Sequence, residues 1–425
     1  MAVQYTHPAK LLVDTLQRVY DYGMTTTSGG NISIKDEEGN IWITPSGIDK
    51  GTLVPADIMK VAPDGRTEGC HTPSCELPFH REVYKCRPEA RTVLHAHSPS
   101  LVAFSLVGKS PDASWVPGAE KICGKIAFSR YDIPGSLSLG KIIAKEFAAG
   151  ADCVMMENHG AVVCGRTIEE AFRRFETLDF LARIQIQASG LNAVGVAAGN
   201  GCACQGEWES FTADYASPVE CALRESMTKF AARLYRQRLV YTGALALSAR
   251  LAADDFLVTP GDLDPLAFAP GDGVRVKEGK CESGKTPGCP ARLFRAIYRQ
   301  RDWANAVIFT KSPNLMAFAC TASELDSRMI PESYIQLRDM PVVPFAEFSA
   351  DPSAVVEKLT PATPVVVIGN FGVIAAGKDL TQAFDRLEVC DFTANCILLA
   401  RRLGTVRPIR QEQVDEIIDT FKLPR

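Results

Sequence analysis

Residues 153 to 164 read Cys153-Val154-Met155-Met156-Glu157-Asn158-His159-Gly160-Ala161-Val162-Val163-Cys164. Two apolar runs flank a polar turn, so the pattern predicts a buried strand, a tight turn and a hairpin partner. Thr167 and Glu170 follow with the spacing of a capping box and start a long helix that runs to about Ala188. The whole unit recurs. Asn158-His159-Gly160, Gly165, Ala171-Phe172, Arg174, Glu176 and Asp179-Phe180 are matched by Asn370-Phe371-Gly372, Gly377, Ala383-Phe384, Arg386, Glu388 and Asp391-Phe392, at a constant offset of 370 − 158 = 212. Ser98-Pro99 matches Ser312-Pro313 at an offset of 214, and Thr44-Pro45 matches Thr259-Pro260 at 215. Offsets this steady over such a length identify a tandem duplication.

Outward from the hairpin, the first copy alternates helices and short strands. Leu11, Leu12, Thr15, Leu16 and Val19 have helical spacing and Gly23 ends that helix. Thr25 to Gly30 is a small polar turn before the strand Asn31 to Ile34, and Ile41-Trp42-Ile43 returns into a second polar loop, Thr44-Pro45-Ser46-Gly47. Loops of this kind offer hydroxyls and backbone N–H groups to an anion such as phosphate. A hairpin over Asp57–Val61 and Gly65–Glu68 precedes a helix from Glu76 to about Arg87, which leads to a strand from Ala90 to Ala96. That strand runs into His95-Ala96-His97. Side chains two apart on a strand share a face, so the two imidazoles project together and suit a transition-metal ion, with zinc the first choice. Leu101 to Leu106 and Lys141 to Ala149 read as further helices. Strands joined partly by hairpins and mixed with helices indicate a layered α/β domain with a mixed, largely antiparallel sheet.

The second copy is an internal control. Where the first has Glu76, His95, His97 and His159, the second has Pro290, Phe309, Lys311 and Phe371. All six histidines, at 7, 71, 80, 95, 97 and 159, lie in the first half. Framework residues are shared while the metal-competent ones differ together, which places a metal site in the first copy and none in the second. His80 falls one helical turn after Glu76 and is expected to support it rather than to ligate. His71 is a loop residue with no assigned role, and Cys202-Ala203-Cys204 lacks the partners a zinc knuckle needs.

Ser28-Gly29-Gly30-Asn31, Thr44-Pro45-Ser46-Gly47, Pro73-Ser74-Cys75-Glu76 with His80, His95-Ala96-His97 and Asn158-His159-Gly160 together resemble the class II aldolase/adducin family across residues 8 to 190. The resemblance implies two tandem three-layer α/β/α domains, a zinc or similar divalent ion on His95, His97 and His159, and Glu76 as catalytic acid/base. It also implies phosphate-holding loops at Gly30, Asn31, Ser46, Gly47, Ser74 and Cys75. The implied activity is aldol cleavage of a small sugar phosphate through a metal-stabilised enediolate. Alternatives on the same site are a decarboxylase or dehydratase of a keto or hydroxy acid or a ketose phosphate, or a non-catalytic adducin-like interaction protein. Two departures bear on the choice. Cys75 stands where the family's phosphate loop has a second serine, and a thiol is the poorer phosphate partner. The stretch from Asp112 to Lys121 also lacks the tyrosine that assists proton transfer in fuculose-phosphate aldolases, leaving Tyr131 as the next candidate.

At 425 residues the chain has room for two full cores. The expected division is a catalytic domain at 1–190, a Gly-, Ala- and Ser-rich connection at 191–217, and a degenerate, non-catalytic domain at 218–425. A net charge of −4 gives no reason to expect nucleic acid or an anionic membrane as partner. No secretory signal and no spanning apolar run is found, so the expected compartment is the cytoplasm, and the fourteen cysteines are expected to be mostly reduced. The family's ring-like assembly implies a homo-oligomer, a dimer of tandem chains forming a pseudo-fourfold ring.

Overall fold

The structure is a computed structural model and describes residues 6–191, 207–213, 215–321 and 323–423. Most of the expected connection, with Cys202-Ala203-Cys204, lies outside the described residues. The chain divides into two compact units, Met1–Ala113 with Ala119–Arg183, and Ser114–Gly118 with Ile184–Arg425.

The first unit is built on a sheet of eight strands: β1 (Asn31–Lys35), β2 (Ile41–Ile43), β3 (Met59–Val61), β4 (Thr67–Glu68), β5 (Thr92–Ala96), β6 (Lys125–Ser129), β7 (Ala151–Met156) and β8 (Gly160–Gly165). Their order is β4-β3-β2-β1-β5-β8-β7-β6. Every neighbouring pair is antiparallel except β6 with β7. Its helices are α1 (Pro8–Asp21), α2 (Leu77–Cys86), α3 (Pro99–Leu106), α4 (Ala119–Cys123), α5 (Leu137–Ala148) and α6 (Ile168–Ser189). Strand side chains alternate between faces. Val93, Val154, Met156 and Val162 therefore meet Phe79, Val83 and Tyr84 of α2 and Ile143 and Phe147 of α5 in one core. On the sheet's other side α1 packs on β1 and β2, and α3 on β7 and β8. Each fully buried Leu, Val or Phe contributes about 1.5–3 kcal/mol, so this core fixes the strand that carries His95.

The second unit has nine strands: β9 (Glu209–Phe211), β10 (Ala246–Ala252), β11 (Asp255–Val258), β12 (Val274–Lys277), β13 (Lys280–Glu282), β14 (Ala306–Thr310), β15 (Val342–Val343), β16 (Val365–Ile368) and β17 (Gly372–Gly377). They are ordered β15-β16-β17-β14-β10-β11-β12-β13-β9, again mostly antiparallel. Its helices include α7 (Pro218–Arg236), α8 (Ala291–Gln300), α9 (Pro313–Thr321) and the long helix Leu380–Leu403.

The duplication is visible bond by bond. Asn31 pairs with His95 across β1 and β5, and Ala246 pairs with Phe309 across β10 and β14. Ser46 N–H donates to the Thr72 carbonyl at 2.9 Å, as Gly261 does to Thr286 at 3.2 Å. Ser74 N–H donates to Thr44 at 3.2 Å, as Gly288 does to Thr259 at 2.9 Å. Asn158 and Asn370 both adopt φ 56°, the left-handed turn that asparagine tolerates. One feature departs from the sequence reading: the edge strand β6 is not anticipated, although Lys125-Ile126-Ala127-Phe128-Ser129 alternates. Eleven described cysteines are free, in line with mostly reduced thiols, and Cys289, the counterpart of Cys75, is disulfide-bonded. No helix among the described residues is long and apolar enough to cross a membrane.

Candidate metal centre

Three imidazoles meet where β5 ends beside the β7–β8 turn. His95 is the penultimate residue of β5, His97 follows that strand, and His159 sits in the turn between Asn158 and Gly160. Gly160 is required there: at φ 153°, a Cβ would come within 2.7 Å of the Ala96 carbonyl. The ring centroids of His95, His97 and His159 lie 4.7 to 4.9 Å apart. One nitrogen from each falls within 4.8 Å of the others, a spacing that a single metal ion can bridge. His95 Nδ1–H donates to the Ala161 carbonyl at 2.9 Å. That bond fixes the tautomer and turns the Nε2 lone pair toward His97 Nε2, 2.9 Å away. Burial, with His159 adding to it, lowers His95 to about 3, and burial with His95 and His159 does the same to His97. Both are therefore neutral at pH 7 and offer nitrogen lone pairs.

Glu76 completes the set. It is the N-cap residue of α2 and is only 6% exposed. Its Oε2 lies 3.4 Å from His95 Nε2 and its Oε1 3.6 Å from His159 Nε2. Oε1 is buried and has no hydrogen-bond partner. A buried carboxylate oxygen without a donor is costly, and beside the imidazoles a divalent ion satisfies it. The residues present thus fit a divalent metal: three imidazole nitrogens with a carboxylate at hand is a zinc-type donor set.

Behind Glu76 runs a buried polar chain. Asn31 Nδ2 donates to Glu76 Oε2 at 2.7 Å. Asn31 Oδ1 accepts from His80 Nε2, and Ser33 Oγ lies 2.7 Å from both His80 Nδ1 and the Tyr84 hydroxyl. Asn31, expected among the phosphate-holding residues, thus uses its side chain to hold Glu76 in place. That was missed because periodicity cannot tell which neighbour a strand-end amide will meet. His80 is fully buried, outside the imidazole cluster, and burial lowers its pKa well below the usual histidine value.

The three polar loops converge next to this centre. A Cβ on Gly29 would stand 2.8 Å from His97 Nδ1, and one on Gly30 2.9 Å from the His95 carbonyl, so the first loop passes directly against the imidazoles. Pro45 bridges Pro73, tying the second loop to the third. Ser74 Oγ accepts from Glu76 N–H at 3.3 Å. Gly47 and Cys75 are exposed, while Gly30 and Ser74 are buried and Ser46 is half-buried. Tyr131 is exposed, and its N–H donates to Glu157 of the His159 turn at 2.8 Å. A second possible cluster, Asp57, Cys70 and His71, also places ligand atoms within 4.8 Å. There His71 Nε2 and Asp57 Oδ1 pair at 2.8 Å and Asp57 Oδ2 accepts from Val54 N–H, so these groups already satisfy one another.

In the second unit the same positions hold an aromatic cluster. Phe309 and Phe371 meet at a tilt with centroids 5.0 Å apart, Phe348 lies 5.0 Å from Phe371, and Lys311 Nζ sits 5.3 Å over the Phe371 ring. Pro290 caps α8 where Glu76 caps α2.

The family model described as "Class II Aldolase and Adducin N-terminal domain" matches residues 10–186 and again residues 225–398. Among curated relatives, a 3-oxo-tetronate 4-phosphate decarboxylase of Escherichia coli K12 is 32% identical over 39% of this chain and 79% of its own length. An L-fuculose phosphate aldolase of Methanococcus maripaludis is 34% identical over 39% of this chain and 89% of its own. A solved L-fuculose 1-phosphate aldolase covers 46% of this chain and 92% of its own at 25% identity, with a TM-score of 0.42.

Proposed function

Because this chain belongs to the class II aldolase and adducin family, we propose that its first copy is a zinc-dependent lyase that cleaves a C–C bond in a small sugar phosphate. The observation that carries this reading is the orphaned Glu76 Oε1 facing three imidazoles. His95, His97 and His159 would hold the ion, which when bound supplies Lewis-acid polarisation to a carbonyl and its neighbouring hydroxyl. Glu76, buried and aimed by Asn31, moves the proton exchanged at the carbon beside the breaking bond. Ser46, Gly47, Ser74 and the Gly29–Gly30 backbone hold the phosphate.

A second reading, decarboxylation on the same centre, is favoured by Cys75 in the phosphate loop and by the relative that acts on a 3-oxo acid phosphate. Incubating the metal-loaded protein with phosphorylated ketoses and, separately, with phosphorylated and free 3-oxo acids distinguishes the two. Aldehyde release from a ketose phosphate supports cleavage, whereas CO2 release with no aldehyde replaces it with the second reading. His95→Ala should abolish either activity together with metal binding. A wild type that is folded, metal-loaded and inert toward every substrate of both classes contradicts both readings.

A further inference from the structure

We propose that Lys50 is the cation that reads the substrate's phosphate, making the three-loop cradle selective for a doubly charged phosphate ester; this rests on the proposed action on sugar phosphates.

Lys50 is 2% exposed. Among the described residues its ammonium makes one hydrogen bond, to the Pro45 carbonyl at 2.6 Å, and no salt bridge. Lysine carries three donors, so two are left for a ligand. The neighbouring Asp49 acts on it only at a distance, without an ion pair, and a buried ammonium with no paired anion is a costly arrangement unless one joins it. Its surroundings point to the same ligand. Lys50 N–H donates to the Thr27 carbonyl of the first loop at 3.0 Å, its Nζ holds the second loop at Pro45, and Cys75 of the third loop acts on it electrostatically. The one lysine therefore sits where all three Ser-, Thr- and Gly-rich segments meet. Thr25 Oγ1, in the first of them, is buried and has no partner. Above Gly47 there is open space, with no atom within 4 Å of a built Cβ, so the cradle has room for a group to enter.

The second copy again serves as control. Its second and third loops keep the equivalent backbone hydrogen bonds. Yet Lys50 is replaced by Pro265, Ser74 by Gly288, and Gly47 by Asp262, which puts a negative charge where an anion would lie. The cation and the anion-compatible residues vanish together with the imidazoles. A lysine kept only to brace the Pro45 turn would not need to leave when that turn stays.

The test is titration of inorganic phosphate into the metal-loaded protein, followed by calorimetry. The wild type should bind phosphate, with sulfate competing. Lys50→Met should weaken binding tenfold or more while metal content stays unchanged, and Lys50→Arg should retain most of it. Gly47→Asp supplies an independent variant: the position already has φ 69°, the second copy carries aspartate there at φ 53°, and the site is open, so folding should survive while phosphate binding is lost. Phosphate affinity unchanged in either Lys50→Met or Gly47→Asp would overturn the assignment. Binding lost in His95→Ala but intact in Lys50→Met would place the anion on the metal and overturn it too. If phosphate binding depends on Lys50 while no phosphorylated substrate is turned over, the proposed reaction fails and the Lys50 site stands.

Discussion

Glu76 stands at the first turn of α2 rather than inside it, and that position defines its chemistry. Its backbone begins the helix while its side chain is free to turn back over β5, where Asn31 Nδ2 fixes one oxygen and leaves the other exposed only to the imidazoles. Replacing it by glutamine keeps the shape and removes the proposed proton carrier. Glu76→Gln should keep metal content and lose turnover by roughly 10²- to 10⁴-fold, as read by steady-state kinetics on the metal-loaded protein. His80 acts one step further back, through Asn31. In the second copy Ser248 and Tyr298 still bond at 3.0 Å, but Phe294 replaces His80 and Ala246 replaces Asn31. The partners of the carboxylate were lost with the carboxylate. His80→Phe should therefore fold and load metal, but lose roughly 10- to 100-fold in kcat with little change in KM. Equal losses in kcat and thermal stability with no kinetic specificity would reduce His80 to packing.

At the scale of the element, the hairpin Ala151–Gly165 and the strand Thr92–Ala96 were legible because apolar runs and turn residues specify them locally. The His95/His97/His159 cluster was legible because the second copy showed which residues the framework does not require. The edge strand β6 was not, because its alternation spans only five residues directly after a short helix, too short a run to separate a strand from the helix's end. Asn31 and Lys50 were not because their roles depend on what three separate loops bring together. A lysine three residues past Thr44-Pro45-Ser46-Gly47, replaced by proline in the second copy, was the available signal. The paired helices show a further divergence. Asp179 of α6 accepts from Ser98 and Ser100 and pairs with Arg183 at 2.7 Å. Asp391 keeps bonds from Ser312 and Asn314, but Asn395 occupies the position of that arginine. Burial raises the Asp391 pKa, so the folded state holds its proton to higher pH than the unfolded chain does. Its contribution to stability is then present below the unfolded aspartate value and falls as pH rises through the raised one. The stability of the wild type relative to Asp391→Asn should decrease over that window in urea titrations. A difference that is constant from pH 4 to 7, or that grows with pH, would contradict this.

At the scale of the whole molecule, one fold is used twice, and the imidazole cluster occurs in the first copy. The two sheets share strand registers, loop hydrogen bonds and the left-handed Asn158 and Asn370 turns. His95 and His159 in the first copy correspond to packed phenylalanines in the second, which cannot ligate a metal. Burial lowers Lys311 to about 8, and its ammonium is held over an aromatic face rather than beside an anion. The division of labour proposed here is therefore asymmetric: the first copy reacts and the second does not. Metal content per chain tests this most directly, measured by elemental analysis after excess ion is removed. One divalent ion per chain is predicted, lost in His95→Ala and His159→Ala and unchanged in Lys311→Ala. A well-folded wild type without metal under metal-replete conditions, or an ion that survives His95→Ala and leaves with Lys311→Ala, would contradict the account.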